Sequence, residues 1–354
     1  MGVYQYLTLL RSVKPKKKII IDTIIDLYDL YIIDGNCVLH DVFDKIGDCN
    51  IYDSIMNDSF ENTIIAIFKT TLNKCNAKKK YIVFDGVPPL PKQVMQKERR
   101  LDQYGYRALL LPNTKLMVII ESYLLKHFKT YHNITINNST IEGEGEQKMY
   151  MIIKDEIMKD NTIRNVMVHS KDSDVVILGQ IFLKTYHYIT LHALINDEDK
   201  YGLSISINKV TLWFLNGNYS IERLLLFCCI CKNDFFLKHN DFDNCDTLKI
   251  YKNFNYSITT WDDLDSKSCD KNCNTIKIKT YVNLYLWYIE YFKSNKNISC
   301  KPYTYKESPC CHCIAKLLKT NIKYKENHIV QADKHLEYVL NKSLLSLTEK
   351  SLEK

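Results

Sequence analysis

The stretch that decides the fold runs from Glu142 to Gly179. It reads EGEGEQKMYMIIKDEIMKD over residues 142–160, NTIRN over 161–165 and VMVHSKDSDVVILG over 166–179. Met149, Ile152, Ile153 and Ile157 recur at helical spacing, so the first part predicts an amphipathic helix. Gly143 and Gly145 mark a tight entry to it, where a backbone without Cβ turns sharply. Val166–Val168 is a short apolar run that reads as a buried strand. Two acidic pairs bracket these elements, Glu144 with Glu146 and Asp172 with Asp174. The second pair follows the strand's C-terminal end, where open α/β sheets hold their ligands. Acids this close repel one another. A fold that gathers them needs a compensating cation, and hard oxygen ligands suit Mg²⁺ or Mn²⁺. A solvated turn and a charged helix end would look the same in sequence, and both readings stand at this point.

Further acids follow other predicted strands. Leu30–Ile33 is a strand candidate closed by Asp34, and Tyr81–Phe84 is another, closed by Asp85-Gly86. Three strands ending in acids favour one shared site over chance. Ser54–Asn73 reads as a helix burying Ile64, Ile65, Ile67 and Phe68, with Lys78–Lys80 as its solvated exit. After Pro88, Pro89 and Pro91, residues Lys92, Gln96, Arg99 and Arg100 stand at spacings that share one helical face. Four donors beside an acidic strand end can grip a phosphate, and arginine's fork matches phosphate oxygens. A solvated charged helix is the plainer reading, and proximity to Asp85 argues against it. Beyond Gly179, Ile181–Ile195 reads as strand, Ser204–Phe214 as one or two strands and Ile221–Cys231 as a buried helix delivering Asn233-Asp234-Phe235. Asp246–Thr280 reads as a polar loop, Tyr281–Phe292 as an aromatic core helix, and Lys316–Lys354 as a lysine-rich helical tail.

The chain has 354 residues, 46% of them hydrophobic, enough for a substantial core in one or two domains. We expect a division into residues 1–240 and a helical, cysteine- and lysine-rich region over 241–354. The net charge of +7 suits a polyanionic substrate, although scattered lysines would give the same sum. Lys14–Lys18, KPKKK, reads as a solvated loop more readily than as a nuclear address. Thirteen cysteines in a long chain without a signal peptide point to a reducing, intracellular setting, cytoplasmic rather than nuclear. No apolar run is long enough for a membrane span. Cys269-x3-Cys273 and Cys310-x2-Cys313, with Cys300 and His312 nearby, have spacings that could form a structural Zn²⁺ site, whereas Cys228, Cys229 and Cys231 read as helix core.

In order along the chain, several motifs resemble the Xrn family of 5′→3′ exoribonucleases: the start MGVYQYLTLL, Asp34-Gly35-Asn36-Cys37-Val38-Leu39-His40, Phe84-Asp85-Gly86-Val87-Pro88-Pro89 with its following basic face, Glu142–Lys148, Asp172-Ser173-Asp174, and Lys232-Asn233-Asp234-Phe235. The resemblance runs in patches from Met1 to about His239. It implies an α/β, PIN-like domain with a central, mostly parallel sheet flanked by helices, followed by the helical C-terminal region. It also implies seven metal-site carboxylates, Asp34, Asp85, Glu144, Glu146, Asp172, Asp174 and Asp234, holding two Mg²⁺ or Mn²⁺ ions. Lys92, Gln96, Arg99 and Arg100 would bind the 5′ monophosphate of single-stranded RNA, and His40 would pack against the first nucleotide. The sequence departs from the family pattern at Gly35, at Cys37, at Lys232 (where a glycine is usual) and after Phe235, where a proline is missing. The family's second conserved block has no counterpart. The short chain and its Asn-, Lys-, Ile- and Tyr-rich composition fit a divergent, viral member. A flap endonuclease acting on DNA shares the fold and the acids, but such enzymes follow the last aspartate with a glycine-rich DNA-gripping module, and here no glycine follows Gly217. An inactive RNA-binding or scaffold protein that kept the fold is the remaining alternative.

Overall fold

A computed structural model gives the fold and describes residues 3, 5–12, 25–47, 50–57, 59–100, 105–195, 203–214, 220–236, 239, 242, 245–256, 258, 260–264, 269, 273–294, 300, 302–320, 335, 339 and 340. The KPKKK cluster, Gly217 and most of the lysine-rich tail lie outside these residues. In chain order the elements are α1 (Tyr6–Arg11), β1 (Tyr28–Asp34), α2 (Gly35–Ile46), α3 (Ile51–Met56), α4 (Ser59–Leu72), β2 (Ala77–Val83), α5 (Leu90–Arg100), α6 (Lys115–Phe128), β3 (Ile134–Asn137), α7 (Gly145–Lys159), β4 (Asn165–His169), α8 (Asp174–Thr185), β5 (Thr190–Ile195), β6 (Leu203–Ser206), α9 (Ile207–Trp213), α10 (Ile221–Ile230), α11 (Thr247–Tyr256), α12 (Thr275–Ser294) and α13 (Cys311–Leu318).

One six-stranded sheet carries the fold, in the order β3-β2-β1-β4-β5-β6. Every pairing is parallel except β5 with β6. This is the mostly parallel α/β architecture expected. The chain proceeds from β1 outward to β2 and β3, then returns to place β4 on β1's other side. The order therefore reverses between β1 and β4, which opens a crevice at the strands' C-terminal ends.

Strand alternation sorts the core onto the two faces of the sheet. Leu30 and Ile32 join Val166 and Val168 in one apolar cluster with α7, α8 and α10, while Tyr31 and Ile33 join α2, α4 and α6 in the other. Helix α12 packs into the first cluster through Tyr281, Leu284, Tyr285, Trp287, Tyr288 and Tyr291. Among the described residues no helix is long and apolar enough to cross a membrane.

Several expected elements differ. Ile181–Ile195 is not one strand: α8 continues to Thr185 and β5 begins at Thr190. Val175 to Leu183 is buried on every side, so this helix shows no amphipathic period. Ser204–Phe214 is a short strand followed by α9, because the Ser206 side chain accepts a hydrogen bond from the Lys209 amide and caps a helix. The expected helix over Ser54–Asn73 is two helices, and the Asn57 side chain accepts from the Ser59 amide at the break (3.1 Å). Lys78–Lys80 do not leave a helix but belong to β2, where Lys78 pairs with Asp29 at 2.7 Å and Lys79 with Glu156 at 2.6 Å. The stretch Asp246–Thr280 holds α11, a 3-10 turn at Trp261–Leu264 and the start of α12. Among its described residues helix α11 buries the apolar side chains Ile250, Tyr251 and Phe254, too few to mark it in sequence.

Candidate active site

Asp34 closes β1 and caps α2. Its carboxylate accepts from the Cys37 amide (3.1 Å), the Cys37 thiol (2.8 Å) and the Ser170 hydroxyl (2.8 Å). Ser170, just past β4, also accepts from the Asp172 amide at 3.1 Å, so one hydroxyl ties the ends of two neighbouring strands. Asp85 follows β2. Its amide donates to the Asn36 side-chain oxygen (3.0 Å), and its carboxylate accepts from the Gly145 amide at 2.6 Å. A Cβ on Gly145 would stand 2.9 Å from that carboxylate, so glycine lets α7 begin directly against it. Glu144 precedes α7 and Glu146 lies in its first turn; Asp174 begins α8, and its amide donates to Asp172 at 3.0 Å. The positive ends of α2, α7 and α8 thus converge where the acids gather, which lowers the cost of packing like charges.

That cost remains large. Burial, with Asp34 and Glu144 adjacent, raises Asp85 to about 6 against the Gly145 hydrogen bond. Burial, then Asp172 and Asp34, push Glu146 well above the ordinary carboxylate range. Asp174 is pushed up by burial and by Asp172 and Asp234. Asp234 is drawn the other way: burial opposes its charge, but Lys92 and Arg99 outweigh it. Lys92 lies among the acids, 2.8 Å from Glu144 and 2.6 Å from Asp234, and Arg99 is 2.8 Å from Asp234's other oxygen.

The sequence had proposed seven acids and five substrate contacts. One cavity of about 440 Å³ is lined by Asp34, Asp85, Glu144, Glu146, Asp172 and Asp234, together with His40, Lys92, Gln96, Arg99 and Arg100. Asp174 lies behind it, buried, within electrostatic reach of Lys92, Asp172 and Asp234. The basic face is not uniform. Lys92 and Arg99 turn to the acids, whereas Arg100 donates to the Gln96 and Ala108 carbonyls at 3.2 Å each. The Gln96 side-chain oxygen lies 3.3 Å from a ring nitrogen of His335. The donor set suits a hard divalent cation, since the acids offer only oxygen and two carboxylates already hold an ammonium as counter-charge.

Four positioning residues were missed by sequence reasoning. Asn36 and Ser170 each stand two residues from an acid, Asp34 and Asp172, and carry no charge of their own to mark them. Lys148 lies inside EGEGEQK. Its ammonium donates to the carbonyls of Phe84 (2.7 Å), Asn138 (2.8 Å) and Ile141 (3.0 Å), clamping the end of β2, and burial lowers it to about 8. Tyr291 of α12 donates its hydroxyl to Glu144, and its carbonyl accepts from Gln147 at 3.2 Å. No local signal marks Tyr291, which reaches the acids only through packing of α12.

Residues 108–192 match the family model described as the XRN 5′-3′ exonuclease N-terminus. That segment holds Glu144, Glu146, Asp172 and Asp174; the fold brings Asp34, Asp85 and Asp234 to them from outside it. No curated protein matches the chain in sequence. Among solved structures, the catalytic core of Rad2 in complex with DNA substrate matches in two complexes. One is 10% identical, covering 96% of this chain and all of that one, with a TM-score of 0.50. The other is 11% identical, covering 98% and 100%, also at 0.50. The bacteriophage T5 D15 flap endonuclease in a pseudo-enzyme-product complex with DNA and metal ions is 12% identical over 91% of this chain and 100% of that one, at a TM-score of 0.42, too low to carry an argument. The Rad2 likeness establishes the PIN-like nuclease fold and nothing finer. With the matched segment, it supports a nuclease of this fold.

Proposed function

We propose that the chain is a divergent Xrn relative and acts as a metal-dependent 5′→3′ exoribonuclease on 5′-monophosphorylated RNA, a reading supported by the matched segment and the PIN-like nuclease fold. The observation that carries this reading is the meeting, in one cavity, of six carboxylates with a basic helix face. Asp34, Asp85, Glu144, Glu146, Asp172, Asp174 and Asp234 would hold two divalent ions. When bound, such ions supply an activated water and charge neutralisation for phosphodiester hydrolysis. The chain's own groups do the rest. Asn36, Ser170 and Lys148 fix the acids in register. Lys92 and Arg99 trade part of their carboxylate contact for the 5′ phosphate, a more highly charged group than an internal phosphodiester. His40, at the cavity wall, packs against the first nucleotide. Only the first linkage then reaches the acids, which sets the polarity.

DNA as the substrate is the competing reading, favoured by the DNA-bound state of the Rad2 matches. The test compares matched 5′-monophosphate RNA, 5′-hydroxyl RNA and 5′-monophosphate DNA, each with Mg²⁺ and with chelator. Mononucleotides released stepwise from 5′-monophosphate RNA, only with metal, are expected. Equal rates on the 5′-hydroxyl strand would remove the end pocket, and faster cleavage of DNA would replace the RNA reading.

A further inference from the structure

We propose that Cys269, Cys273, Cys310 and Cys313 form a structural zinc site that fastens α12, and through Tyr291 the position of Glu144. Their sulfur atoms all lie within 4.8 Å of one another, and those of Cys273 and Cys310 are 3.7 Å apart. Four thiolates around zinc, with Zn–S near 2.3 Å, have tetrahedral edges of about 3.8 Å. A disulfide would need about 2.05 Å, and none of the four is in one. The pairs have zinc spacing, with three residues between the cysteines of one and two between those of the other, and come from different parts of the chain. All four are partly exposed, so an ion can enter. Cys310 stands at the N-cap position of α13 and Cys313 lies in its first turn, so one short helix presents both sulfurs to the cluster. The neighbours named with them by the sequence fall out: Cys300 is fully buried, and neither it nor His312 belongs to the cluster. Four sulfur ligands leave no open position, so the ion would be structural rather than catalytic.

Its consequence lies at the other end of α12. Cys273 stands just before that helix, and Tyr291 lies about 24 Å along it at 1.5 Å per residue. There the Tyr291 hydroxyl holds Glu144, and Trp287, Tyr288 and Tyr291 surround Phe235, the neighbour of Asp234, at ring distances of 5.1, 5.6 and 5.9 Å. Zinc binding thus braces the helix that backs two of the carboxylates. The zinc assignment is independent of the nuclease reading; only its effect on the acids rests on it.

The test measures metal in the full chain, purified with reductant and without added metal. About one zinc per chain is expected, falling below roughly a tenth in Cys310→Ser and in Cys313→Ser and retained in Cys245→Ser, which lies outside the cluster. Should the variants fail to fold, cobalt exchanged into the unmodified chain must show intense thiolate-to-cobalt absorption. Hydrogen exchange then reads the brace: stripping zinc with a mercurial should deprotect α12 and α13 but not β1 or β4. A chain without stoichiometric zinc, zinc retained in the Cys310→Ser, Cys313→Ser double variant, or cobalt bound without thiolate absorption overturns the site. Unchanged protection of α12 overturns the brace. Neither readout uses nuclease activity, so failure of that reading would be seen separately.

Discussion

Lys232 sits at φ 74°, in the left-handed region where a side chain crowds the backbone. It occupies the place where the resembled family carries glycine, one residue before Asn233, whose side chain accepts from the Phe235 and Phe236 amides at 2.8 and 2.9 Å and shapes the turn presenting Asp234. Lys232→Gly should relieve the conformation and raise stability by about 1 kcal/mol, read as a higher denaturant midpoint at an unchanged slope. A loss of stability would mean that the lysine side chain contributes more than its backbone costs. At this scale the sequence was informative wherever chemistry repeats locally. Asp34, Asp85, Glu144, Glu146 and Asp172 each follow or open an element, and their positions relative to glycine and strand were legible. Tyr291 and Lys148 were not, because one acts from 147 residues away and the other donates to backbone carbonyls that carry no residue identity.

Among the elements, the turn after β2 is the most constrained. The Gly86 amide donates to the Gly143 carbonyl at 2.8 Å and the Gly143 amide to the Val87 carbonyl at 3.1 Å, binding the chain after Asp85 to the entry of α7. A Cβ on Gly86 would lie 1.8 Å from the Ile141 carbonyl oxygen, which is backbone and cannot swing aside. Gly86→Ala should therefore cost about 1–3 kcal/mol or more by overpacking and separate the two acid-bearing segments. Thermal unfolding with and without Mg²⁺ checks this: the variant should melt lower and gain less from the ion, while an unchanged melting temperature would show that the two segments part without cost. Strands β1 and β4 were readable because each is a short apolar run ended by a distinct turn, whereas only the apolar end of β2 was, since Lys78–Lys80 make its first half read as a solvated helix exit. Helices α8, α9 and α11 were not. The first is buried all round, the second starts at a serine cap inside an alternating run, and the third buries only three apolar side chains among its described residues, Ile250, Tyr251 and Phe254.

For the whole molecule the dominant fact is stored repulsion at the crevice between β1 and β4. Asp85 is raised to about 6, and Glu146 and Asp174 are pushed up with it. Such groups favour the folded chain while protonated. As pH rises from about 4 through about 6, the unfolded chain releases these protons first and the metal-free fold loses stability, by about 3 kcal/mol for Asp85 alone. A divalent cation offsets that loss, so the rise in melting temperature on adding Mg²⁺ should be small near pH 5 and larger near pH 7.5. A pH-independent rise would mean the ion binds away from these acids. The central claim, that the gathered carboxylates exist to hold divalent ions, is tested most directly by counting Mn²⁺ bound to the nucleic-acid-free protein near neutral pH. The account predicts two saturable ions per chain, with at least one lost in Asp172→Ala and in Asp174→Ala, while both metal-free variants melt no lower than the parent because a repelled charge has been removed. No saturable Mn²⁺ binding, or binding unchanged in both variants, would contradict it.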